Sequence, residues 1–183
     1  MTSPATTQQT LPSLNRYITT NDENGKSVFS STFSSSPPSR TLPDGARVIF
    51  CYGSETFPVA VTQDRDLQSY QRLVDNPPGI VLQQGVVFRI IELPPGYTSA
   101  MHRTLSVNFN VVLEGQLELI LDSGGKRILN RGDSAIQRVV NHSWRNTSQT
   151  EWARMIAVPV PAEAFSVGAG PVEISGIPGM SAS

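Results

Sequence analysis

VVFRIIEL at Val86–Leu93, closed by Pro94-Pro95-Gly96, and SVNFNVVL at Ser106–Leu113 decide the fold of this 183-residue chain. Runs of β-branched and aromatic residues that end in turn formers read as strands. Downstream the same grammar repeats. QLELIL at Gln116–Leu121 meets DSGG at Asp122–Gly125, where glycine tolerates the positive φ of a hairpin turn. Strands are then expected at Lys126–Leu129, Ser134–Arg138, Ser143–Arg145 and Trp152–Pro159, with a tight Arg131-Gly132-Asp133 turn among them. Short strands punctuated by glycine and proline indicate an all-β sandwich or barrel, with its core over 86–158.

Upstream, ARVIFCY at Ala46–Tyr52 reads as one more strand. DRDLQSYQRLV at Asp64–Val74 places Leu67, Tyr70, Leu73 and Val74 at helical spacing, with Asp64 or Asp66 as candidate caps, and NPPG at Asn76–Gly79 ends it. Residues 17–40 read as extended chain without a core of its own, wrapping the domain or a second subunit. Residues 1–16 read as a disordered or loose arm, 17–165 as a single domain, and 166–183 as a tail in which Val172–Ile174 is a candidate edge strand.

A net charge of −1 gives no electrostatic case for nucleic acid or an anionic membrane. No apolar stretch approaches the ~18 residues of a membrane span. The start MTSPATTQQT has neither the basic nor the apolar region of a signal peptide. The single cysteine, Cys51, reads as a small buried strand residue and fits a reducing compartment, so the expected location is the cytoplasm.

The chain has two histidines, His102 and His142, at matching places beside two of these strand patterns. Imidazoles on neighbouring strands of one barrel meet in its interior, where they can move a proton or ligate a metal. Asn108 and Asn110 share one strand face by alternation, and Trp144 shares the face of His142. Arg138 and Arg145 are candidates for binding a substrate carboxylate.

Two ordered motifs then carry a resemblance. Gly96, five residues, His102, Arg103, Thr104, three residues, Asn108, six residues and Gly115 form the first; Gly132-Asp133, eight residues, His142, three residues and Asn146 form the second. Together they resemble the cupin family, a jelly-roll β-barrel. MHRT, VVLEG and HSWRN, with GKSVF at Gly25–Phe29 and TFPV at Thr56–Val59, resemble fungal single-domain cupins of secondary-metabolite pathways. The resemblance implies an extended N-terminal segment beside the one short helix read above, and a homodimer that exchanges or adds strands, with residues 17–50 as the candidate for that exchange. It also implies lyase or isomerase chemistry on polyketide-derived intermediates: dehydration, decarboxylation, isomerisation or cyclisation.

Thr104 stands where this family has its second motif histidine, and Asn108 where it has an acidic ligand. Two imidazoles, a hydroxyl and an amide offer a divalent cation no negative charge, so function without a metal or other cofactor is expected. His102 and His142 are then the acid and base, Asn108 holds the developing oxyanion, and Thr104, Asn110, Trp144 and Arg138 bind the substrate. The rival readings are a metal-dependent cupin with His102 and His142 as ligands, and a non-catalytic cupin that binds a small ligand.

Overall fold

Period-2 alternation builds two sheets whose apolar faces meet. The computed structural model describes residues 11–164, 166–167 and 170–183; residues 1–10 of the expected N-terminal arm lie outside them. A hairpin of β1 (Thr19–Asn21) and β2 (Ser27–Phe29) comes first, followed by β3 (Ser39–Thr41) and β4 (Arg47–Ser54). After helix α1 (Arg65–Asp75) come β5 (Val86–Leu93), β6 (Ser106–Glu114), β7 (Leu117–Leu121) and β8 (Lys126–Leu129). Then follow β9 (Ser134–Arg138), β10 (His142–Asn146), β11 (Ala153–Pro161), β12 (Ser166–Val167) and β13 (Gly170–Pro171).

The larger sheet has the antiparallel order β3-β4-β5-β11-β6-β9, and a three-stranded sheet runs β10-β7-β8. Between them lies a shared core to which Val48, Leu93, Val112 and Met155 come from the first sheet and Leu117 and Trp144 from the second. Gly115 makes the turn from β6 to β7 possible: its φ is +74°, and a Cβ there would stand 3.0 Å from that of Ala153. This is the all-β barrel that the strand pattern predicts, in the jelly-roll form that the resemblance implies, with the one short helix read at 64–74.

Several segments differ from expectation. The barrel starts before residue 86, because β4 lies inside the large sheet, paired with both β3 and β5. Residues 11–16 are packed: Leu14 contacts the Ile49–Cys51–Ile90 cluster, and the Pro12 carbonyl accepts a hydrogen bond from Arg154 at 2.6 Å. Val172–Ile174 form no strand. Instead Ser175 bridges Arg103, and the last residues return to the barrel, where Ile80 and Val81 donate to the carbonyls of Ser181 and Ala182. Met180 is thereby buried in the main core. Apolar side chains so few and so spaced show no period, yet a groove lined by other elements holds them.

Helix α1 forms over nearly the predicted residues and buries Leu67, Tyr70 and Leu73. The Tyr70 hydroxyl donates to the Phe50 carbonyl at 2.6 Å, tying the helix to β4. Neither predicted cap acts as one: Asp64 makes no side-chain capping bond, and Asp66 accepts from the Tyr52 hydroxyl at 2.5 Å. Cys51 is buried, and desolvation pushes its thiol up to about 11, which suits a packing role. No helix among the described residues is long and apolar enough to cross a membrane.

Candidate active site

The two histidines face each other across a local antiparallel bridge. Each backbone amide donates to the other residue's carbonyl at 2.9 Å, and the ring centroids are 4.2 Å apart. The Nδ1 of His102 lies 2.9 Å from the Ala100 carbonyl, and that of His142 lies 3.0 Å from the Val140 carbonyl. A carbonyl only accepts, so both rings carry their proton on Nδ1 and keep a lone pair on Nε2. Both side chains are buried. Burial lowers the proton affinity of His102; burial and then the neighbouring His102 depress that of His142 to about 4. Both shifts favour the neutral rings, which leaves each Nε2 as a base.

Strand register builds the facing wall. Arg89, Ala157, Asn110 and Ala135 align in one row across β5, β11, β6 and β9, while Pro159, Asn108 and Gln137 align in another. Paired residues of antiparallel strands project to the same face. Alanine and proline at the β11 positions leave space above the polar groups. Asn108, Asn110, Gln137 and Arg89 thus line the same cavity as His102 and His142. Trp144, Tyr97, Met155, Ile177 and Met180 supply much of its apolar lining.

Hydrogen bonds orient these polar groups. The Thr104 hydroxyl lies 2.7 Å from that of Ser106, which donates to Asn108 Oδ1 at 2.6 Å. Asn110 Nδ2 donates to Gln137 Oε1 at 2.8 Å, and Asn108 Nδ2 reaches the same oxygen at 3.5 Å. Gln137 Nε2 is buried and has no partner among the described residues. Arg89 is only 4 % exposed, and its guanidinium donates to the carbonyls of Ile80 at 2.6 Å and Gly79 at 2.5 Å. Desolvation lowers its proton affinity to about 10, so it stays cationic.

The site gathers His102, His142, Asn108, Asn110 and Trp144. Two expected substrate-binding residues are elsewhere. Thr104 is buried but does not line the cavity, because its hydroxyl is held by Ser106. Arg138 is exposed on the outer face of β9, because alternation turns its neighbour Gln137 inward. Arg145 is likewise outside, paired with Glu118 at 2.8 Å. Asn146, the end of the second motif, has a structural role: its Nδ2 donates to the carbonyls of Leu93, Pro94 and Glu151. Gln137, Arg89 and Ser99 are polar cavity residues that strand-by-strand reading misses. The available signal was the position of Gln137 opposite Asn108, which only pairing reveals.

The donor set does not fit a tightly held divalent cation. Two imidazoles line the cavity, but among the described residues no carboxylate does, and these residues contain no metal-competent group of three His, Cys, Asp or Glu. Neutral amide oxygens give weak charge compensation, and Asn108 Oδ1 is already engaged by Ser106.

Residues 89–159 match the cupin domain family. The chain is 43 % identical over 162 residues to phomopsin biosynthesis cluster protein D of Diaporthe leptostromiformis, covering 88 % of this chain and 82 % of that one. It is 35 % identical over 156 residues to oryzines biosynthesis cluster protein J of Aspergillus oryzae, covering 85 % and 87 %. Identity to a cupin-domain-containing oxidoreductase of Neurospora crassa is 38 % over 141 residues, covering 77 % and 70 %. With this fold, these motifs and relatives of such coverage, the chain belongs to the cupin family and is similar to fungal cupin-domain proteins of biosynthesis clusters.

Proposed function

We propose that the protein is a small-molecule enzyme of lyase or isomerase type that moves protons on a carbonyl-rich, polyketide-like intermediate, without a metal. The observation that carries this is the His102–His142 pair, whose Nδ1 atoms are tied to carbonyls while both Nε2 lone pairs remain available beside a carboxamide wall. One Nε2 takes the acidic proton next to a substrate carbonyl. Asn108 and Asn110 orient the oxygen on which negative charge develops. The protonated histidine then returns the proton to a different carbon or to a departing hydroxyl, giving isomerisation or dehydration. The names of relatives from biosynthesis clusters support a biosynthetic substrate.

The test uses solvent-proton exchange in deuterated water, followed by NMR on a panel of β-keto and β-hydroxy carbonyl compounds. Wild type is expected to catalyse exchange; His102→Ala and His142→Ala are each expected to lose about 100-fold or more, with circular dichroism unchanged. Activity retained in both variants overturns the assignment. The relatives called oxidoreductases favour the metal-dependent reading. Metal analysis with and without a chelator separates the two, since a stoichiometric metal whose removal abolishes activity supports that rival. A ligand that binds and is released unchanged supports a non-catalytic cupin. We further propose that the enzyme works as a homodimer through its N-terminal segment.

A further inference from the structure

We propose that Gln137 is the substrate-recognition residue of the cavity, and that the group it reads is a carboxylate. The inference rests on the reading of the cavity as a substrate site and names the substrate class and its anchor.

Gln137 is 3 % exposed, and its Nε2 is a buried donor with no partner among the described residues. An unmet buried amide donor carries a desolvation cost comparable to a lost hydrogen bond. The orientation of this amide is set by its surroundings. Asn110 Nδ2, at 2.8 Å, and Asn108 Nδ2, at 3.5 Å, both point at Oε1, which turns the Gln137 NH2 away from them. Asn108 is in turn held by the Ser106 hydroxyl, and Ser106 by Thr104. The polar residues that replace the family's usual ligands therefore form a brace, and the brace ends in the Gln137 NH2.

The charge of the cavity selects its acceptor. Among the described residues Arg89 is the one cationic side chain in the lining, and no Asp or Glu lines it. Among the described residues no carboxylate forms an ion pair with Arg89, whose guanidinium is held by backbone carbonyls instead. Those carbonyl dipoles orient the arginine without cancelling its charge, so the cavity carries a net positive field that favours an anionic guest. A carboxylate oxygen accepts from Gln137 Nε2 within that field. The rest of the guest lies among apolar side chains such as Trp144, Met155 and Met180.

The experiment titrates isotope-labelled protein at pH 7.5 with acetate, isobutyrate and benzoate, and with isobutanol and benzyl alcohol as uncharged controls. The Gln137 side-chain NH2 resonances are followed by NMR. At least one acid is expected to shift them and to bind about tenfold or more tightly than its alcohol, since a hydrogen bond to a charged group outweighs a neutral one. Gln137→Leu is expected to weaken that acid about tenfold or more, and Gln137→Glu, which sets carboxylate against carboxylate, to abolish its binding. The proposal is overturned if no acid shifts the resonances, if acids and alcohols bind alike, or if Gln137→Leu binds acids as wild type does. Because the readout on wild type needs no variant, misfolding of either substitution leaves the test intact. Failure of the histidine assignment appears only in proton exchange, and failure of the Gln137 assignment only in acid binding.

Discussion

At the scale of single residues, the protein shows how one tautomer fixes a chemical role. Because each histidine spends its Nδ1 proton on a backbone carbonyl, neither can donate from Nε2 until it has first accepted a proton. The depressed proton affinity of His142 gives this a pH signature. An ordinary histidine would impose an acid limb near 6.5; the limb of kcat/KM is expected nearer 4, read from a pH–rate profile. Stability follows the same sign. Between about 4 and 6.5 the unfolded chain binds more protons at His142 than the folded one. Stability therefore falls as the pH drops through that window, by an amount on the order of 3 kcal/mol in full. In His142→Gln the fall between pH 6.5 and pH 4 should shrink, as measured by urea unfolding at each pH.

At the scale of elements, the large sheet is held together by more than its ladders. Glu92 on β5 and Arg154 on β11 form a buried ion pair, and exposed Arg47 on β4 reaches the same carboxylate at 3.4 Å. Removing one partner strands the other charge in the interior. Glu92→Leu is thus expected to cost about 3–5 kcal/mol, seen as a lowered denaturant midpoint. Adding Arg154→Met should restore much of the loss, because two apolar residues leave no buried charge. No recovery in the double variant would mean that the hydrogen bond from Arg154 to the Pro12 carbonyl contributes more than the ion pair. Strand existence was legible from β4 to β11: β5, β8 and β9 have the predicted bounds, and the others of that stretch shift by one or two residues, whereas β3, in a Ser- and Pro-rich stretch, was not read as a strand. These strands are legible because β-branched and aromatic runs end in turn formers. The partnership of Glu92 with Arg154 was not legible, since they lie 62 positions apart.

At the scale of the whole molecule, the two ends of the chain complete the barrel in different ways. The C-terminal residues close one side of the cavity through Ile177 and Met180. The β1–β2 hairpin instead presents aromatic surface: Phe29 is 75 % exposed and Tyr17 69 %. The homodimer proposed above uses this hairpin, since β3 and β4 of residues 17–50 are already paired within their own chain. Deletion of residues 1–30 is expected to yield a monomer by size-exclusion chromatography with light scattering; a dimer that survives the deletion removes the hairpin from the interface.

What the amino-acid order determined by itself was local: which segments are strands, which turns need glycine, and that two histidines, two asparagines and a tryptophan share inward faces. Each of these follows from a two-residue period or from the φ a single residue tolerates, and so is written in adjacent letters. Only the tertiary structure decided that Gln137 faces Asn108, that Arg89 looks into the cavity across Ala157, that Arg138 and Thr104 do not line it, and that the tail is a wall. Those depend on which strands are neighbours and in what register. The energy of burying whole faces together selects that pairing, and no single stretch of the chain contains it.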